Sequence, residues 1–434
     1  MKLLIANAVD SALWLGRDAR DWSQRVFWFA DDGDLVVVSD TPDASFVRHV
    51  AAVKFIDSDR IAVVTCPPGP RGNRVIQVES LTHSSFIADM SPHAERITEV
   101  FSLFPSALVS ECAAVLGLTD RTPGAAFFAQ GGTEMANSKA VFRALAAAAD
   151  VVIAPGFVCH TEADAARALS SITESGHCAM VKRAHSGAGF GNEMVLRPGS
   201  SSPANIGARH EYRLSDTPDA VRTYWRSRWS WASSESRFPV IVEELQSVQT
   251  TMYVEVQVTD EACAIVGTGV LSYEEGGIVC ETLGNPGLAD PALDQASGSA
   301  LRLAEIYRSI GYRGLLSLDG IVTDSGKVMS TEVNARTTSG SHLHHLIERG
   351  VVPAHTTVRQ RRAEPGWDIR STEHFLEGLA KAGITFDPTI GLGVFLVSPV
   401  APVVGSDSFL YCTVSSGSDA DYVSTLNDLF LPRV

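Results

Sequence analysis

Four polar residues between Gly311 and His342 have the types and spacing for divalent-cation chemistry: GYRGLLSLDGIVTDSGKVMSTEVNARTTSGSH. Asp319 comes first, Glu332 follows thirteen residues later, and Asn334 and Arg336 take the next alternate positions. Two carboxylates and an amide oxygen form a hard-oxygen donor set. Such a set suits Mg2+, or Mn2+ in its place, with positions left for water or substrate phosphate. The Arg336 guanidinium offers a forked pair of donors to an anion. These residues need a hairpin to bring them together. Asp324-Ser-Gly326 is a tight-turn sequence, with Leu315, Leu316, Leu318, Ile321 and Val322 before it and Val328, Met329 and Val333 after it. A turn near Ser325 sets Asp319 opposite Glu332. Strand alternation then places Glu332, Asn334 and Arg336 on one face. The plain alternative is a surface hairpin with its charges in water.

A second set lies upstream. Cys178–Lys182 reads as a strand, Arg183-Ala-His-Ser-Gly-Ala-Gly-Phe-Gly-Asn192 as a loop, and Glu193–Leu196 as the returning strand. In this loop Ser186, Gly187 and Gly189 allow backbone N–H groups close to phosphate oxygens, and Lys182 on the incoming strand can reach an α-phosphate. A dinucleotide fingerprint requires a helix after its glycines, whereas a strand follows here; a protein-kinase loop precedes its lysine, whereas Lys182 comes first. Lys139 sits in the first turn of an alanine-rich helix that Asn137 or Ser138 can cap. A cation there opposes the helix dipole, which makes sense beside a phosphate; the alternative is a solvated lysine.

The order lysine, glycine loop, then Asp, Glu-x-Asn and Arg some 130 residues on resembles the ATP-grasp superfamily over roughly 136–350. That resemblance implies two α+β lobes gripping ATP, with Mg2+ on Asp319, Glu332 and Asn334. It also implies that Lys139 and Lys182 contact the nucleotide phosphates. Phe238-Pro-Val-Ile-Val-Glu-Glu-Leu-Gln246 resembles the family's adenine hinge. Backbone groups around Glu244 and Leu245 would pair with the adenine edge, and Glu243 would accept from its 6-amino group. The acid that usually holds the ribose is missing from Ser247–Thr251, with Gln249 or Thr250 as substitutes. The loop-rich stretch from Tyr273 to Gly287, which includes Glu281, would admit the amine or acid substrate. The implied reaction joins an amino-acid or peptide carboxylate to an amine through an acyl phosphate, with Arg336 on the developing oxyanion. A trailing α+β part and a large leading domain are similar to the pheganomycin-type peptide ligases of specialised metabolism. A kinase that releases a phosphorylated small molecule and a non-catalytic nucleotide-binding module are the other readings.

The rest of the chain reads as an α/β and α+β multidomain protein. Residues 1–130 form a leading α/β region with strands at Leu3–Ala6, Leu35–Val38, Ile61–Thr65 and Val75–Val78 and helical spacing at 93–103 and 107–116. The ATP-grasp part spans 131–355, with a nucleotide lobe near 136–245 and a metal lobe near 246–355. Ala125–Ala129 reads as a strand, 351–370 as a linker, and 366–434 as a small α+β domain. His342, His344 and His345 form a trio, but without a companion Cys or Asp pattern; packing or substrate contact stands against zinc.

With 434 residues the chain can bury large cores. Its net charge of −15 repels nucleic-acid phosphates and anionic lipid, so neither is expected as a partner. The seven cysteines are scattered, without a CxxC pair, and read as buried thiols. Asn7 and Asp10 interrupt the first apolar run too early for a signal peptide, and no stretch is long enough to span a membrane. A reducing cytoplasm fits these features. Oligomeric state is left open, a homodimer among the options.

Overall fold

The computed structural model describes residues 1–7, 18–187, 189–201, 207–284, 287–401 and 409–432. The first sheet contains β1 (Lys2–Ile5), β2 (Leu35–Val38), β3 (Ala62–Thr65) and β4 (Glu99–Ser102), all parallel, in the order β3-β2-β1-β4. Leu35–Val38 is buried throughout, as a parallel strand covered on both faces must be. Helix Ala44–Lys54 starts where the Asp43 carboxylate accepts from Ser45 N and Phe46 N, and ends at left-handed Phe55.

The second sheet carries β5 (Gly156–Cys159), β6 (Ala179–Arg183), β7 (Asn192–Leu196), β8 (His210–Arg213) and β9 (Val240–Glu244), in the order β5-β9-β6-β7-β8. Helices Glu162–Glu174 and Ala220–Ala232 supply its core, in which Tyr224 and Trp225 are fully buried. The first of these helices has the capping box expected from Thr161 and Asp164.

The third sheet contains β10 (Thr250–Val258), β11 (Cys263–Glu274), β12 (Gly277–Leu283), β13 (Gly314–Val322), β14 (Val328–Asn334), β15 (Thr357–Arg362), β16 (Gly393–Leu396) and β17 (Leu410–Ser415). Its order is β14-β13-β10-β11-β12-β15-β17-β16. Helix Asp290–Ser309 packs on β10 and β13 through Ala300, Leu303, Ala304 and Tyr307.

Several expectations are corrected. Residues 357–362, expected within a linker, form β15 and pair with β12 and β17. The final strands therefore extend the large sheet instead of standing apart as an appendix. The Trp28 indole donates to Val397 O at 2.9 Å and Leu396 N donates to His49 at 3.0 Å, so chain start and chain end share one core. Ala125–Ala129 is a helix, begun at left-handed Gly124; a five-residue apolar run has no period long enough to choose. Val75–Ile76 is not a strand, and Val78–Leu81 is one turn of helix. The helical spacing at 93–103 resolves into a 3-10 turn, Ser91–Arg96, and then β4, whose pairing with β1 outweighs local periodicity. Among the described residues, no helix is long and apolar enough to cross a membrane.

Candidate active site

One cleft of about 520 Å3 opens where the three sheets meet. Every candidate site residue lines it except Lys139 and Ser186, which stand just behind its wall. Ala188 and Asn285-Pro286 lie outside the described residues.

The floor is the hairpin β13–β14. Asp319 pairs directly with Glu332 and Ser317 with Asn334, and a register irregularity follows Asp319. The turn closes where Gly326 N donates to Thr323 O at 2.8 Å. Ser317 Oγ donates to Asp319 Oδ1 at 3.1 Å, and Asn334 Nδ2 donates to Asp319 Oδ2 at 2.9 Å. Asn334 thus turns its nitrogen, not its oxygen, toward Asp319; as a cation ligand its amide would have to rotate. Lys139 Nζ lies 2.6 Å from Glu332 Oε2 and donates to Ser186 O at 2.8 Å. Burial, then the Glu332 charge, push the Asp319 carboxyl well above its usual range. Burial also acts on Glu332, but the Lys139 charge and hydrogen bond, with Lys182 and Arg336, hold it below its usual value. The two neighbouring carboxyls are thus pushed in opposite directions, Asp319 toward its protonated form and Glu332 toward its charged form. The donor set of two carboxylates and an amide suits a hard divalent cation. Among the described residues, no three His, Cys, Asp or Glu side chains form a metal cluster.

Arg336 extends past the acid pair. Its Nη1 donates to Asn137 Oδ1 at 2.6 Å, and the same oxygen accepts from Ala335 N at 3.0 Å. Asn137 therefore positions the arginine, while Ser138 caps the helix Lys139–Ala148. A side chain added at Gly187 would sit 3.7 Å from Arg336, so the glycine loop lies over the guanidinium. Gly189 has φ +74°, and a Cβ on Gly191 would meet the Ser186 Cβ at 2.3 Å, so the loop's path depends on both glycines.

The opposite wall departs from expectation. Lys182 Nζ lies 2.5 Å from Glu243 Oε1, and Arg143 Nη1 lies 2.7 Å from Glu243 Oε2. Glu243 therefore neutralises two buried cations before it can meet an adenine amino group. Arg143 was not foreseen, although it follows Lys139 by four residues on the same helix face. Glu244 N and Leu245 N already donate to Pro155 O and Cys178 O. Those two N–H groups are therefore not available to a base edge, and only carbonyl oxygens and later N–H groups are. Gln246 and Val248 line the wall here, whereas Gln249 and Thr250 do not.

The histidine trio diverges. His344 hydrogen-bonds the Tyr253 hydroxyl at 3.0 Å, His342 stacks on Trp28, and His345 packs on Phe29. Burial pushes His344 and His345 down to about 4. Each ring is thus engaged with a different aromatic neighbour.

The cleft can hold a polyanion between Lys182 and Arg336 above paired carboxylates. The first part of the chain, residues 23–118, matches the "Pre ATP-grasp domain" family. A solved structure of biotin carboxylase from Campylobacter jejuni, in a β-γ-ATP complex, is similar at 14% identity and TM-score 0.61, covering 99% of this chain and 91% of that one. The chain carries an ATP-grasp fold behind a pre-ATP-grasp domain. The N5-carboxyaminoimidazole ribonucleotide synthetase from Thermus thermophilus shares this ATP-grasp architecture at 12% identity and TM-score 0.56, covering 100% of this chain and 99% of that one. So does the biotin carboxylase domain dimer of Hydrogenobacter thermophilus 2-oxoglutarate carboxylase, solved with MgADP, ADP and bicarbonate, at 13% identity and TM-score 0.61, with coverage of 99% and 90%. No curated protein sequence matches the chain significantly.

Proposed function

We propose that this protein is an ATP-dependent ligase that joins an amino-acid or peptide carboxylate to an amine through an acyl phosphate, releasing ADP and phosphate. The observation that carries the reading is the single cleft that unites Asp319, Glu332, Lys182 and Arg336 under a glycine loop. A carboxylate is a poor electrophile and must first accept a phosphoryl group. Phosphoryl transfer asks mainly for positioning and charge neutralisation. Lys182 and Lys139 bind phosphate oxygens once they share or leave Glu243 and Glu332. Asp319 and Glu332, with Asn334 after an amide turn, would hold Mg2+, which neutralises β- and γ-phosphate charge when bound. Arg336, held by Asn137, binds the acceptor carboxylate and then the oxyanion of the tetrahedral species. The loop around Gly187 and Gly189 covers the nucleotide and keeps water from the acyl phosphate. Nucleotide-bound neighbours support ATP as co-substrate; the amide product rests on the site chemistry.

The test is a phosphate-release screen of amino acids and short peptides, singly and in pairs, with mass spectrometry of products. Release that requires both an acid and an amine, with a condensed product, is expected. A stable phosphorylated product without amine would replace this reading with a kinase. No ATP consumption with any pair would remove it.

A further inference from the structure

The parallel sheet of the leading domain has a topological switch point between β1 and β4. From β1 the chain winds outward to β2 and β3, then returns on the other side as β4. Ligands of open parallel sheets sit at the strand carboxyl ends beside such a point. Here those ends open into the main cleft, through Asn7 after β1 and Leu103 and Phe104 after β4. Asn7 sutures the two ends: its Nδ2 donates to Phe104 O at 2.6 Å and its Oδ1 accepts from Phe104 N at 3.2 Å.

Arg25 projects into this crevice. It is 8% exposed and lines the cleft. Its Nε donates to Trp22 O at 3.1 Å and its Nη1 to Thr338 O at 3.2 Å, and its guanidinium lies 4.9 Å from the Trp22 ring centre. Among the described residues it has no ion-pair partner, in contrast to Lys139, Arg143 and Lys182. Burial pushes its pKa down to about 10, against a smaller pull from the Glu281 charge, so it remains charged at neutral pH. A buried, unpaired guanidinium is costly unless an anion completes it. Thr338, which Arg25 grips, lies two residues beyond Arg336. The crevice is therefore continuous with the reacting end of the cleft.

We propose that this crevice is the subsite of the amine substrate, and that this substrate carries its own carboxylate, which Arg25 binds. The amine donor is then an α-amino acid or a peptide with a free C-terminus, its apolar part against Trp22, Leu103 and Phe104. The assignment rests on the ligase reading for the word amine, but the carboxylate subsite can be tested without turnover.

Arg25→Met keeps the buried stem and removes the charge. Isothermal titration compares the common amino acids and alanylalanine, each with its C-terminal amide, on the full chain with and without Mg2+ and a non-hydrolysable ATP analogue. The wild type is expected to bind at least one free acid roughly 30-fold more tightly than its amide, the size of a lost charge-assisted hydrogen bond. Arg25→Met binds acid and amide alike, with nucleotide affinity kept, and Arg25→Lys recovers part of the preference. If Arg25→Met does not fold, Arg25→Gln is read in the same way. The proposal is overturned if the wild type binds no free acid, if acid and amide bind equally, or if the preference survives without the guanidinium. Acid preference that depends on Arg25 without any amine-dependent phosphate release would instead sink the ligase reading and keep the subsite.

Discussion

Glu243 is the most informative place to perturb this site. It is one carboxylate serving two buried cations, and the side chains of Glu243, Lys182 and Arg143 are each under 10% exposed. Glu243→Gln keeps the shape and leaves both Lys182 and Arg143 without a counter-charge. Breaking a buried pair from one side costs about 3–5 kcal/mol. With 434 residues and about 2.1 cal/mol/K of unfolding entropy per residue, each kcal/mol moves the melting midpoint by roughly 1 °C. The expected drop is therefore roughly 3–6 °C. Lys182→Ala should do less, because the Arg143–Glu243 pair survives, and the double variant should lose less than the sum of the two single variants. Differential scanning fluorimetry of the three variants, with and without MgATP, reads all of this. ATP should recover part of the Glu243→Gln loss, since its phosphates supply the missing anion. A Glu243→Gln midpoint within a degree of wild type, or strict additivity in the double variant, would refute the picture of one acid shared by two cations.

Glu332→Gln should abolish acid- and amine-dependent ADP release and lower the melting midpoint by no more than a few degrees, since buried Lys139 loses its counter-charge but keeps its bond to the Ser186 carbonyl; unchanged turnover in a coupled ADP assay would remove Glu332 from the cation site. Asn137→Ala frees the Arg336 side chain and the Ala335 N–H, and should lower kcat by roughly 100-fold with nucleotide affinity unchanged, as a misplaced reacting group does. Burial raises Glu255 to about 7 from 4.5, against opposing bonds from Ser341 and Thr338. Across that window the folded chain holds a proton that the unfolded chain has lost, so this residue's contribution to stability falls as pH rises and levels off above about 7. Glu255→Gln does not titrate and should gain on the wild type by up to about 3 kcal/mol between pH 5 and pH 8. Equal pH dependence of the two melting curves would contradict the shift.

Local rules carried the hairpin. A turn at Asp324-Ser-Gly326 and strand alternation are enough to oppose Asp319 to Glu332, because both depend only on residues within about one hairpin length. The same holds for the Thr161–Asp164 capping box and the glycine loop between β6 and β7. Short apolar runs failed where local period was silent: Ala125–Ala129 became helix and Val100–Phe101 became strand through contacts far away in the chain. The charge partners were equally illegible. Nothing within a few residues of Lys182 announces Glu243, about sixty positions on, and nothing near Arg25 announces the Thr338 carbonyl.

The amino-acid order alone determined which groups can bind a cation and a polyanion, and that two of the carboxylates face each other, since turn chemistry and strand period act over a few residues. Tertiary structure decided which cations are already neutralised, where the last strands join, and that a guanidinium from the first domain, without an ion-pair partner among the described residues, enters the cleft. Those outcomes depend on burial, which raises the cost of an unpaired charge only after distant segments have excluded water.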